Sequence, residues 1–224
     1  MDEKVIVDKQ IYVFDLDGTI IDSRLGVTKS MRYALASFDI HAQPEDLTRF
    51  VGAPLRELFS KHFGIVDVEK AVDKYREYFA ETGMYENTVY PGVPEILSDL
   101  RGRGKTLAIA TTKATYYTVK ILENLDFLRY FSYVSGDELD GSLTKNGKRD
   151  ILRLALDNLD PQRELTAVMI GDKEYDIAAA RELGLDSIGL GYGYGSREEL
   201  AGATWFADTT DALRALLLGA ERGA

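Results

Sequence analysis

The stretch Ile11-Tyr12-Val13-Phe14-Asp15-Leu16-Asp17-Gly18-Thr19 decides how the rest of the chain is read. Its first four residues form a short, continuous, β-prone apolar run, which reads as a strand buried on both faces. The acids come at its end. In extended backbone, residues two apart project the same way, so Asp15 and Asp17 face one small volume, and Gly18 permits a tight turn directly after them. Alone, such a segment is equally what a surface turn looks like. Its meaning depends on what the chain places beside it.

Working outward, three similar runs follow: Leu107-Ala108-Ile109-Ala110 before Thr111, Ala167-Val168-Met169-Ile170 before Gly171, and Ser187-Ile188-Gly189-Leu190. Helix-period segments interleave with them at Glu95 to Leu100, Tyr116 to Leu125, Arg149 to Leu159 and Asp176 to Leu183. Alternating strand and helix predicts an α/β fold with a parallel sheet covered on both faces. The alternation breaks between Asp22 and Tyr90, where apolar spacing is helical throughout: Val27, Met31, Ala34, Leu35 and Phe38, then Leu55, Leu58, Phe59 and Phe63, then Val72, Tyr75, Tyr78 and Phe79. Asp22-Ser23 reads as the hinge into this insertion and Pro91-Gly92-Val93-Pro94 as its end. The expected organisation is therefore a core from residues 1–21 and 91–224, with a helical insertion over 22–90. The last residues, Glu221 to Ala224, are expected to fray.

The 224 residues carry 27 Lys and Arg against 37 Asp and Glu, a net charge of -10. That balance disfavours a nucleic-acid polymer or an anionic membrane as partner, since both require clustered cations. No apolar stretch reaches spanning length, and Val5-Ile6-Val7 is far too short for a signal-peptide core, so a cytoplasmic protein is expected. There is no cysteine, which excludes disulfides, thiolate metal sites and thiol nucleophiles. Chemistry must come from oxygen and nitrogen groups.

A second acidic cluster, Gly171-Asp172-Lys173-Glu174-Tyr175-Asp176, follows the Ala167 strand as Asp15 and Asp17 follow the first. Taken alone, it reads as a helix start with an Asp cap. In a parallel sheet, however, both acidic ends meet at the carboxyl edge, where open α/β folds place ligands. Four carboxylates there repel one another by roughly 4 kcal/mol per pair at about 4 Å and an effective dielectric near 20. A cation is needed, and hard oxygen donors suit Mg²⁺. With the charge offset, one carboxylate can attack phosphorus while its neighbour protonates the leaving oxygen and then activates water.

These residues resemble the haloacid dehalogenase superfamily, specifically its phosphatases with a helical cap inserted after the first motif. The first motif is Asp15-Leu16-Asp17-Gly18-Thr19, the second Thr111 after an apolar strand, the third a Lys before a helix, and the fourth Gly171-Asp172 through Asp176. The resemblance implies a Rossmann-like core with a helical-bundle cap. It implies Asp15 as nucleophile, Asp17 as general acid and base, and Mg²⁺ bound by Asp15, Asp172 and the Asp17 carbonyl, with Asp176 in support. Thr111 is expected to hydrogen-bond a phosphoryl oxygen, and Gly18, Thr19 and Thr112 to bind substrate. Thr112 stands where many relatives have Asn. Lys148, at the start of the Ile151, Leu152, Ala155, Leu159 helix, is preferred as the third-motif lysine over Lys145. An acid two positions beyond the nucleophile points to phosphate-ester chemistry, and the Gly191-Tyr192-Gly193-Tyr194-Gly195 run is most like the phosphoglycolate phosphatase and 5′-nucleotidase branch.

Arg56 follows a loop that faces substrate in similar enzymes, and is expected either to meet a second anionic group or to be a solvated helix arginine. Tyr192 and Tyr194 read as half-exposed loop tyrosines, Lys173-Glu174 and Glu198-Glu199 as solvated faces, and His41 and His62 as surface residues. The expected partner is a small phosphorylated metabolite and the expected state a monomer or homodimer. A phosphomutase and a phospho-accepting regulatory module are the alternatives.

Overall fold

The computed structural model describes residues 6–143 and 147–219. Lys145 and the residues after Gly219 lie outside them. From its start the chain runs through β1 (Ile11–Phe14) and β2 (Ile21–Asp22) into α1 (Arg24–Ala36), the brief α2 (Pro44–Leu47) and α3 (Leu55–Glu57), and α4 (Val68–Glu81), returning through β3 (Thr88–Val89). There follow α5 (Val93–Gly102), β4 (Thr106–Ala114), α6 (Thr115–Asn124), β5 (Tyr133–Asp137), α7 (Arg149–Leu159), β6 (Ala167–Gly171), α8 (Glu174–Glu182), β7 (Asp186–Leu190), β8 (Trp205–Ala207) and α9 (Thr210–Leu218).

Two compact units result: Asp22–Thr88, and Met1–Ile21 with Val89–Ala224. β2 and β3 pair as a two-stranded ribbon at the two chain crossings. Within the first unit, α1 buries Val27, Met31, Ala34 and Leu35, and α4 buries Ala71, Val72, Tyr75 and Phe79. The Leu55 to Phe63 segment is not one regular helix: a wide π turn spans Leu58–His62, which puts Leu58 and Phe59 inside and leaves His62 exposed beside the Phe50 ring.

The second unit holds a six-stranded sheet in the order β5-β4-β1-β6-β7-β8, with every neighbouring pair parallel. The fold is α/β, as the alternation predicts. β1 lies in the middle of the sheet and is buried on both faces, as is its neighbour β6: Ile11 and Val13 join Ala108, Ala110, Ile151, Leu152, Leu156 and Met169 in one cluster, while Tyr12 and Phe14 point the other way. Two strands go beyond the four expected. β5 contains Ser135, Gly136 and Asp137, a composition that hides it from a hydropathy reading, and β8 has three residues. Helix α9 was likewise not anticipated.

Strand order and register together create the site. The chain leaves β1 to build one half of the sheet through β4 and β5 and the other through β6, β7 and β8, so β1 lies at the switch point. Phe14 aligns with both Ile109 and Ile170. With this register, Asp15 and Asp172 follow the ends of β1 and β6 while Thr111 lies level with them on β4, which continues to Ala114, so all three reach one edge.

Candidate active site

Asp15 continues the β1 ladder by one bond, its N–H donating to Ile170 O at 2.9 Å, before the backbone turns. Gly18 closes that turn, with its N–H donating to Ile21 O at 2.8 Å. Its φ is +79°, and a Cβ there would lie 2.2 Å from Asp172 Oδ2, so the position needs glycine for its backbone angle and for space. Gly18 is thus a packing residue for Asp172 as well as a turn residue.

Lys148, which caps α7, is fully buried at the centre of the cluster. Its ammonium lies 2.8 Å from Asp15 Oδ1 and also contacts Asp176 Oδ1. Both contacts are ion pairs withdrawn from solvent. Asp176 sits in the first turn of α8 and its other oxygen accepts the Lys173 N–H at 3.0 Å. The helix is capped differently from the Asp N-cap read from sequence: Lys173 is the N-cap residue, and Asp176 reaches back to its N–H from the third helical position.

Asp172 is completely buried. Its Oδ2 accepts the Tyr194 N–H at 2.7 Å, and its Oδ1 accepts from Thr19 Oγ1 at 3.5 Å. The 191–195 loop is thus part of the site's support and not a peripheral segment. A Cβ on Gly193 would stand 2.3 Å from Asp172 Cβ and 2.5 Å from Gly18 O, so only glycine lets this loop close over the aspartate. The Tyr192 hydroxyl donates to Thr19 O at 3.0 Å, and its ring meets Tyr90 edge-on. Lys173 and Glu199, read from sequence as solvated, are paired at 3.1 Å, and Glu199 also accepts the Ser196 N–H, tying the loop to the start of α8. That correction arises because the two residues are 26 positions apart and meet only in the fold.

Thr111 is buried and its Oγ1 accepts the Lys113 N–H at 3.3 Å; Thr112 is half-buried beside it. Lys113 itself pairs with Asp17 Oδ2 at 2.9 Å. Sequence reading overlooked Lys113, Gly193 and the Tyr194 N–H. Lys113 was within reach of it, since a residue two beyond Thr111 in a strand points the same way. Within the Asp22–Thr88 unit, the Arg56 guanidinium forms a two-pronged pair with Glu69, at 2.8 and 2.9 Å.

Burial raises the Asp15 pKa to about 6 despite the opposing Lys148 ammonium, with Asp176 and Asp17 adding to the rise. Burial, followed by the charges of Asp15 and Asp176, pushes Asp172 well above the carboxylate range against the Tyr194 hydrogen bond. For Lys148, burial opposes charge, but Asp15 and Asp176 outweigh it and raise its pKa.

Asp15, Asp172 and Asp176 each place a carboxylate oxygen within 4.8 Å of the others, and all three are buried. Asp17 is not in that group; its carboxylate faces Lys113. When ionised, the four carboxylates against two ammonium groups leave two negative charges, which one divalent cation would balance. The all-oxygen donor set and the unfavourable ionisation of Asp15 and Asp172 fit a hard divalent ion such as Mg²⁺.

Comparison with known proteins agrees with this geometry. The family model for haloacid dehalogenase-like hydrolases matches residues 12–190. The chain belongs to that family. It is 42% identical over 193 residues to a 5′-nucleotidase of Pseudomonas aeruginosa, covering 84% of this chain and 85% of the relative. Against a phosphoglycolate phosphatase of Agrobacterium fabrum it is 31% identical over 192 residues, covering 81% and 80%. The solved Protein Tyrosine Kinase A of Mycobacterium tuberculosis superposes with a TM-score of 0.79 at 31% identity, covering 93% of this chain and 97% of that one. The chain is a phosphatase of this family, a phosphoric monoester hydrolase for small phosphorylated substrates, and the family generally uses a divalent metal. Among the described residues no helix is long and apolar enough to cross a membrane.

Proposed function

We propose that the chain hydrolyses a small phosphoglycolate- or nucleotide-like phosphomonoester with Mg²⁺, through a phosphoryl group carried on Asp15. The observation that carries this reading is the burial of Asp15 against Lys148, with Asp172 and Asp176 close enough to share a cation. Asp15, Asp172 and the Asp17 carbonyl would hold the ion, with Asp176 in support. Bound there, it offsets the carboxylate charge and withdraws electron density from the phosphoryl oxygens.

The protein groups divide the rest of the work. An Asp15 oxygen forms the new bond to phosphorus as the ester P–O bond breaks, and the departing oxygen keeps the bonding pair and takes a proton from Asp17. The Asp17 carboxylate then removes a proton from the water that attacks phosphorus, releasing phosphate and restoring Asp15. Lys148 and the Thr111 hydroxyl stabilise charge on the phosphoryl oxygens, and the Gly18 and Thr19 turn lies beside them. On this reading residues 22–90 are the cap that selects the leaving group.

The test is a panel of phosphorylated metabolites, including phosphoglycolate, nucleoside monophosphates, pyrophosphate and sugar phosphates, assayed for phosphate release with and without Mg²⁺. Asp15→Asn, nearly isosteric, should abolish Mg²⁺-dependent release, and retained turnover in that variant would sink the mechanism. Because one neighbour is called a tyrosine kinase, reaction in ¹⁸O-water serves as the check on the acceptor. Label in the released phosphate supports hydrolysis, whereas transfer of the phosphoryl group to a second hydroxyl points to a mutase or kinase.

A further inference from the structure

Asp17 has a partner that the proposed chemistry does not use. β4 continues past Ala110 through a register shift to Ala114, which carries Lys113 to the same edge as Thr111. There the Lys113 ammonium stands 2.9 Å from Asp17 Oδ2, with side chains only 9% and 14% exposed. The other oxygen, Asp17 Oδ1, is buried without a hydrogen-bond partner among the described residues. The Asp17 backbone is already held, since it bridges to Ile21 and the next N–H donates to Ile21 O. What the backbone does not set is the rotation of the carboxylate.

We propose that Lys113 is a positioning residue for Asp17: it clamps Oδ2 and thereby turns Oδ1 toward the leaving-group oxygen. This rests on the reading of Asp17 as general acid. An exposed ion pair would do little to orient a side chain, because solvent screens it and both chains stay free to rotate. This pair is largely withdrawn from water, so breaking it frees a torsion that proton transfer requires to be fixed. The rival role for an ammonium here is to bind a substrate anion directly. The two roles separate by leaving group, because a phenolate that departs readily without a proton does not need a well-aimed acid.

The experiment compares kcat/KM on p-nitrophenyl phosphate and phenyl phosphate, two esters of like shape and different leaving-group acidity, for the Mg²⁺-loaded full chain and its variants. Lys113→Met should lose about ten-fold more on phenyl phosphate than on p-nitrophenyl phosphate, with Mg²⁺ affinity by calorimetry unchanged. Lys113→Arg should recover part of the phenyl phosphate loss. In a double-mutant cycle, Lys113→Met should cost little once Asp17→Asn is present, because the two residues act as one unit. An equal loss on both esters, a loss confined to KM, a fall in Mg²⁺ affinity, or full additivity in the cycle overturns the proposal while leaving the hydrolase reading intact. A wild-type chain inactive on both esters and on the metabolite panel overturns the hydrolase reading, and this proposal with it.

Discussion

Removing the negative charge of Asp15 should stabilise the metal-free protein, and the size of the effect should depend on pH in a set direction. In the folded chain Asp15 holds its proton up to about 6, against an ordinary value of 3.8. Between those values the folded state binds more protons than the unfolded one, so this group makes stability fall as pH rises. Above the folded value the full penalty is present, about 3 kcal/mol by the linkage relation and already net of the Lys148 attraction. At pH 4.5, where the folded carboxyl is mostly protonated, the same relation leaves about 1 kcal/mol. Asp172 shifts in the same direction, while exposed Glu69 and Glu77 shift oppositely, each held down by a side-chain hydrogen bond to a cation, and contribute equally to wild type and variant.

Asp15→Asn should therefore be more stable than wild type in EDTA by about 3 kcal/mol at pH 7.5, narrowing to about 1 kcal/mol at pH 4.5. Urea unfolding followed by Trp205 fluorescence is the assay, since this is the single tryptophan and it lies in the sheet of the core unit. Saturating Mg²⁺ should reverse the order, because it binds the carboxylate and not the amide. The reasoning is refuted if Asp15→Asn is no more stable than wild type at pH 7.5 without metal, or if the gap fails to narrow in acid.

Three further outcomes follow from the same contacts. Lys148→Met strands Asp15 and Asp176 as buried like charges and should cost about 3–5 kcal/mol in EDTA at pH 7.5, with less loss at pH 5, read from urea midpoints. Gly193→Ala places a Cβ 2.3 Å from Asp172 Cβ and displaces a supporting loop; titration calorimetry should show Mg²⁺ affinity reduced about 10–100-fold. Asp17→Asn should slow turnover about 10²–10⁴-fold while Mg²⁺ binding persists, since its carboxylate lies outside the cation-binding group; equal losses in both measurements would count against its assigned role.

Much of the site was legible before the fold was known. Asp15 and Asp172 each follow a short, continuous apolar run, and the alternation of such runs with helix-period segments reads as the buried strands of a covered sheet. Lys148 was legible because it stands at the start of an amphipathic helix, where the apolar spacing of Ile151, Leu152 and Ala155 begins. What escaped were elements with weak local signals: β5, whose Ser135 and Gly136 dilute its hydropathy, and β8, which is too short to have a pattern. The Gly-rich loop at 191–195 looked like ordinary turn chemistry, because nothing in it reveals that Gly193 packs on Asp172.

The sequence by itself determined the alternation of strand and helix, the break in that alternation after Asp22, and the acids at two strand ends. These follow from periodicity and residue type, which act over a few neighbouring positions. Only the tertiary structure decided which acid meets which base. Asp15 and Asp176 share Lys148, Asp17 takes Lys113, and Asp172 is clasped by Thr19 and the Tyr194 N–H. Those pairings depend on strand order and register, which align Phe14 with Ile109 on one side and Ile170 on the other. The alignment is a global outcome of burying both faces of β1 at once, and no local stretch of the chain contains it.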